Sequence, residues 1–218
     1  MAVERWREFP KGEVMAVRAV FFDIGGVLLR TVNPEPRRQW EQRLGLEAGQ
    51  LAKLVFDNPV AQRATVGEAT EAEVWREIGR ALNLPPQLVS ELREDFFAGD
   101  RWDEDLLAFV RKLRSRIRTG VISNGWPGAQ RAMAKWINPE TFDAVVFSGV
   151  EKCRKPDEKI YRLALARLDL IPQEAMFFDD TRENVDGAGR VGMQAVLFEG
   201  PHPAIEKIRK IFMHTRPL

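Results

Sequence analysis

Asp23 closes the apolar run 17–22 and is followed by Ile24 and a glycine pair, in the string AVFFDIGGVLL. A short run rich in Val and Phe, stopped by Gly25-Gly26, reads as a buried parallel strand and its exit turn, so the acid sits where open α/β sheets bind ligands. Taken alone, such an Asp also serves to cap a turn or the next helix. Three other places share its setting. Ser123-Asn124-Gly125 ends the run 119–123, Asp179-Asp180-Thr181 ends the run 175–178, and Arg154-Lys155-Pro156 opens a helical stretch between the third and fourth strands. Asn124-Gly125 is also an ordinary turn, and Lys155 an ordinary exposed lead-in to a helix. Together, three carboxylates, a hydroxyl, an amide and a lysine on one rim form a set able to hold a divalent cation and a phosphate. Oxygen ligands, with no Cys or His beside Asp23, Asp179 or Asp180, favour Mg²⁺.

The elements that must position these residues follow from the periodicity. Strands are expected at 17–22, 119–123, 144–147, 175–178 and 194–198, separated by helices around Leu106, Val110 and Leu113, and at 129–136, 156–168 and 183–190. A last helix is expected at 204–212. Five short apolar strands alternating with helices imply an α/β fold with a doubly wound, mostly parallel sheet. Between the first two strands the pattern is helical: Trp40, Leu44, Leu51, Leu54 and Val55 recur at helical spacing, interrupted near Gly45 and Gly49. Thr70 to Glu73 has capping-box spacing ahead of Val74, Trp75, Ile78 and Leu82, Pro85-Pro86 end that helix, and Leu88, Leu92 and Phe96 mark another. The expected organisation is therefore an extension over residues 1–14, a core from 15–32 and 99–218, and an inserted helical module over 33–98. Met15 stands directly before the first strand, consistent with a loosely attached extension or an upstream start codon.

Bulk properties limit the partners. The 218 residues, 44% hydrophobic and 30% charged, suit a globular protein with a real core. Thirty-three basic against 32 acidic residues leave a net charge of +1, which argues against nucleic acid and anionic membranes as partners, so an anionic substrate must be held locally. A single cysteine, Cys153, excludes an internal disulfide framework and a cysteine-based zinc cluster, and points to a reducing cytoplasm. No apolar stretch approaches the length that spans a bilayer, and the N-terminus lacks a secretory pattern.

With Asp23, Ser123, Lys155 and Asp179-Asp180 in this order at strand ends, the chain resembles the haloacid dehalogenase-like superfamily over about residues 17–200. The resemblance implies that Asp23 is the nucleophile, forming an aspartyl-phosphate. It implies that Mg²⁺ is held by Asp23, the Gly25 carbonyl and Asp180, with Asp179 and Asn184 behind, the order of Asp179 and Asp180 being open. Lys155 balances the carboxylates, Ser123, Asn124 and Gly125 bind the phosphoryl group, and the insert is a small helical cap. One residue departs from the pattern: the family's phosphatases usually carry a second Asp, a general acid, where Gly25 stands. Three activities fit: an Mg²⁺-dependent phosphatase of a small phosphorylated metabolite, a metal-independent 2-haloacid dehalogenase, or a binding or regulatory protein with weakened turnover. That dehalogenase branch typically has Tyr in place of Gly25 and a less acidic fourth motif, which favours the phosphatase. Substrate identity and oligomeric state are left open.

Overall fold

The computed structural model describes residues 16–213, so the expected extension over 1–14 lies outside the described residues. Strand β1 (Ala19–Phe22) leads through a tight turn to the short strand β2 (Leu29–Thr31). Five helices follow: α1 (Glu35–Leu44), α2 (Gln50–Phe56), α3 (Pro59–Thr65), α4 (Glu71–Ala81) and α5 (Pro86–Ala98). Then come β3 (Asp100–Trp102), α6 (Glu104–Leu113), β4 (Arg118–Ser123), α7 (Ala129–Ala132), β5 (Ala144–Phe147), α8 (Ser148–Glu151) and α9 (Glu158–Arg167). The chain continues through β6 (Ala175–Asp179), α10 (Arg182–Val191), β7 (Gln194–Leu197) and α11 (Pro201–Met213).

The main sheet has the order β5-β4-β1-β6-β7 with every pairing parallel, the doubly wound α/β arrangement anticipated from the periodicity. Alternation along β1 sorts its residues between two cores, as the period of a strand requires. Val20 and Phe22 join Val121, Met176 and Phe178 against Leu106 and Val110 of α6 and Ile208 of α11. Ala19 and Phe21 face the other way, with Ile122, Val146 and Phe177, against Ile160 and Ala164 of α9 and Ala188 of α10. With both faces covered, β1 must be apolar throughout, and all four residues are buried. Because the strands run parallel, their carboxyl ends share one rim; Phe22 is in register with Phe178, and the Asp23 N–H donates to the Phe178 carbonyl at 2.9 Å.

Helices α1 to α5 gather a hydrophobic core of their own from Trp40, Leu51, Val55, Val74, Trp75, Leu92 and Phe96. The glycine interruptions act as stops: α1 ends on Gly45 at φ +68° and α2 begins after Gly49 at φ +81°. Both hydrogen bonds of the Thr70/Glu73 capping box form. Pro86 does not terminate α4, which already ends at Ala81; it opens α5, where a missing N–H costs nothing.

Two features differ from the expectations. The helix expected over 129–136 forms only at Ala129–Ala132; beyond it the chain tightens into turns, because Trp136 leaves to stack on Trp102 at 5.0 Å and to donate to Glu104. The antiparallel ribbon of β2 and β3 had no sequence signal, since three-residue strands carry no alternation to read. Side chains hold it: the Thr31 hydroxyl donates to Asp100 at 2.6 Å, and Arg37 of α1 donates to both Asp100 oxygens at 2.9 and 3.0 Å. The ribbon thereby joins the helical bundle to the sheet.

Candidate active site

Parallel pairing brings Asp23, Ser123 and Asp179 to one rim, and the loop after α8 delivers Lys155 between the acids. Lys155 is 2% exposed, and its ammonium lies 2.8 Å from Asp23 Oδ1 and 2.6 Å from Asp179 Oδ2. The ammonium also lies 5.4 Å from the ring centroid of Phe177, which adds a cation–π contact. A charge buried this deeply needs paired and hydrogen-bonded surroundings, and two carboxylates supply them.

The three acids are not equivalent. Asp179 is completely buried and saturated: it accepts from Lys155, from the Thr181 N–H at 2.8 Å and from Asn184 Nδ2 at 3.0 and 3.2 Å. Among the described residues Asp23 keeps one oxygen open, since its Oδ1 takes both the Lys155 ammonium and the Ile24 N–H, the latter at 2.6 Å. Burial, reinforced by the charge of Asp179 and opposed by Lys155, pushes the Asp23 carboxyl up from 3.8 to about 6. Asp180 is exposed and accepts from the Thr181 hydroxyl at 3.4 Å; partial burial and Asp179 raise its pKa too. One carboxylate oxygen from each of Asp23, Asp179 and Asp180 lies within 4.8 Å of the others. This all-oxygen donor set, carrying three carboxylates against one ammonium, fits a hard divalent cation.

The turn after Asp23 divides its work between two glycines. Gly26 takes φ +74°, and a Cβ there would stand 1.8 Å from Asp180 Oδ2, so the close approach of the Asp180 carboxylate requires glycine. Gly25 is exposed, its φ is not in the left-handed region, and a Cβ there would meet nothing within 4 Å. Among the described residues, no group donates to the Gly25 carbonyl.

At the second strand end the three expected phosphoryl-binding residues divide. The Ser123 hydroxyl has no hydrogen-bond partner among the described residues and is open to a ligand. The Asn124 side chain instead braces Lys155: its Oδ1 accepts from the Lys155 N–H at 2.9 Å, and its Nδ2 donates to the Lys155 carbonyl at 3.1 Å. The Gly125 N–H donates to Ser148 Oγ at 3.0 Å, and the Gly125 carbonyl accepts from Gly149 at 3.0 Å. The Asn124 side chain thus ties the loop after β4 to Lys155, and the Gly125 backbone ties it to the start of α8. Ser148 was missed in the sequence although it too follows a buried strand on this rim. Tyr161, whose hydroxyl donates to the Asn184 carbonyl at 2.8 Å from the buried side, carried no local signal. Arg154 donates to Gln62 of α3, tying this rim to the helical bundle.

Residues 17–192 match the family model for haloacid dehalogenase-like hydrolases. The chain belongs to this family. It is 27% identical over 213 residues to acyl-CoA dehydrogenase family member 10 of Mus musculus, covering 89% of this chain and 19% of that protein, so it spans about a fifth of that relative's length. It is 26% identical over 200 residues to phosphatase MT3486 of Mycobacterium tuberculosis, covering 85% and 88% of the two chains. To the phosphoserine phosphatase of Thermus thermophilus it is 29% identical over 169 residues, 74% of this chain and 68% of that one. Solved structures share the fold. A haloacid dehalogenase-like hydrolase of Porphyromonas gingivalis aligns with a TM-score of 0.69 at 24% identity, over 90% of this chain and 99% of that one. A family member of Bacteroides thetaiotaomicron in complex with magnesium and inorganic phosphate aligns with 0.69 at 18%, over 84% and 94%. The L-2-haloacid dehalogenase RSc1362 aligns with 0.66 at 17%, over 89% and 100%.

Proposed function

We propose that this haloacid dehalogenase-like hydrolase is an Mg²⁺-dependent phosphatase of a small phosphorylated metabolite, with Asp23 as nucleophile. The observation that carries the reading is the charge of the cluster: Lys155 satisfies Asp23 and Asp179, while Asp180 and one oxygen of Asp23 remain open beside each other. A negatively charged pocket of this kind takes a cation and, through it, a dianionic phosphate. The relatives described as phosphatases point the same way.

Asp23, the Gly25 carbonyl and Asp180 would hold the ion, with Asp179 fixing Lys155 rather than binding directly. When bound, Mg²⁺ supplies the charge neutralisation that lets a carboxylate approach a phosphate. The chain's residues do the rest. The Asp23 carboxylate attacks phosphorus as the ester P–O bond breaks, giving an aspartyl-phosphate and an alkoxide; water then attacks the phosphorus, releasing phosphate and the free carboxylate. Lys155 offsets charge on the transferring oxygens, and the Ser123 hydroxyl donates to one of them. No side chain at position 25 can protonate the departing alkoxide.

A metal-free haloacid dehalogenase shares this fold, but the same surplus of carboxylates would repel a haloacid anion. Phosphate release from a panel of phosphate monoesters and chloride release from 2-haloacids, each with Mg²⁺ and with chelator, separates the two. Mg²⁺-dependent phosphate release, abolished in Asp23→Asn with the fold retained, is expected. Phosphate release in excess chelator, or halide release without metal, contradicts the proposal.

A further inference from the structure

One apolar surface at the junction of sheet and helical bundle is left uncovered. Phe56, the last residue of α2, is 44% exposed, although its ring packs 5.6 Å from buried Phe96 and 5.8 Å from Trp126. Trp126 follows Ser123-Asn124-Gly125 directly and packs against the core of the bundle. Its place relative to the phosphate-binding side is set by the bonds already described: Asn124 braces Lys155, and Gly125 is held between Ser148 and Gly149. The aromatic surface therefore begins three residues from the free Ser123 hydroxyl and runs into the bundle. Arg154, on the same seam, donates to Gln62 of α3.

Packing between bundle and sheet accounts for the inward faces of these rings and leaves their outward face unexplained. We propose that Phe56 and Trp126 form an apolar subsite for the alcohol part of the substrate, which is then a phosphate monoester of an apolar alcohol. The inference rests on the phosphatase reading above and adds the class of leaving group to it. The occupant follows from continuity: a phosphate seated at Asp23, Ser123 and Lys155 has its ester substituent as the part free to reach the neighbouring surface.

The test compares kcat/KM for n-alkyl phosphates from ethyl to octyl, with glycerol phosphate as a polar control, in the wild type and in Phe56→Gln. Each methylene that reaches the rings is expected to raise kcat/KM about threefold, so the octyl-to-ethyl ratio is large in the wild type and collapses in the variant. Phe56 is partly exposed, so Phe56→Gln is expected to fold, which far-UV circular dichroism checks. Trp126→Phe, which keeps an aromatic face, is expected to retain the preference. Binding of n-octylphosphonate against methylphosphonate is measured by calorimetry in the same proteins, so the subsite is read even if no ester turns over. Tighter octyl binding that is lost in Phe56→Gln supports the subsite whatever the fate of the phosphatase reading. Turnover or binding indifferent to chain length overturns it, as does concentration-dependent dimerisation abolished by Phe56→Gln without a change in ligand preference, which would make the patch an interface between copies.

Discussion

Position 25 concentrates the chemical question at the scale of single residues. A Cβ at Gly25 meets open space and the backbone there is ordinary, whereas Gly26 next to it has φ +74° and the Asp180 carboxylate against it. The absence of a general acid at 25 is therefore not forced by the turn. General acid catalysis is typically worth about 10²- to 10⁴-fold, so hydrolysis is expected to depend steeply on leaving-group acidity. Gly25→Asp should fold, and should raise kcat/KM for alkyl phosphates by at least about tenfold more than for nitrophenyl phosphate. Measuring both substrates in both proteins, with Mg²⁺ affinity in parallel, checks it; equal rates on the two substrate types in the wild type would show that another group supplies the proton.

At the scale of elements, the loop after β4 and the helix α8 are locked backbone to backbone. A Cβ at Gly149 would stand 2.6 Å from the Gly125 carbonyl oxygen and 3.0 Å from the Pro127 nitrogen, and backbone cannot swing aside as a flexible side chain does. Gly149→Ala is expected to destabilise the protein by about 1–3 kcal/mol, in the range of overpacking, and to lower kcat because it displaces the loop that carries Ser123 and braces Lys155. Urea unfolding together with steady-state kinetics tests the coupling. A loss of stability with kcat intact would show that this contact does not set the site. The lesson is that three strand ends alone do not make the rim: short turns and cross-loop hydrogen bonds set the separation of their side chains.

The whole molecule feels the cost of concentrating acids at one rim. Asp23 has a folded-state pKa of about 6 against 3.8 unfolded, so between pH 4 and 6 the native state retains a proton that the unfolded chain has lost. Stability must therefore fall as pH rises through that window, and above pH 6 the penalty is fully present. At about 1.4 kcal/mol per pKa unit, metal-free Asp23→Asn should be more stable than the wild type by about 1–3 kcal/mol at pH 7 and nearly equal to it below pH 4. Thermal unfolding of both proteins in chelator across pH 4–8 gives the comparison; a variant that is less stable at pH 7 would mean that the ion pair with Lys155 outweighs desolvation. Among the described residues no helix is long and apolar enough to cross a membrane. The helical bundle is joined to the sheet by the β2–β3 ribbon and Arg37, and also touches the rim through Arg154–Gln62 and Phe56–Trp126.

What the sequence alone determined was what local periodicity and residue type can carry. Five short apolar strands alternating with helices announced the parallel sheet, and a parallel sheet puts Asp23, Ser123 and Asp179 on one rim. Gly45, Gly49 and the Thr70/Glu73 pair marked helix boundaries by backbone requirements that act within a few residues. The tertiary structure alone decided which groups remain free. Asp179 and Asp180 are adjacent in sequence and alike in type, yet one is saturated by Lys155, Thr181 and Asn184 while the other stays open. Asn124 and Gly125 look like anion donors until their partners Lys155 and Ser148, more than 20 residues away, take those groups up. The β2–β3 ribbon and the shortening of α7 also depend on distant contacts, through Asp100 and through Trp102. Periodicity records which side of an element is buried, but the hydrogen bonds that commit or free a polar group are made between segments whose spacing exists only once the sheet has closed.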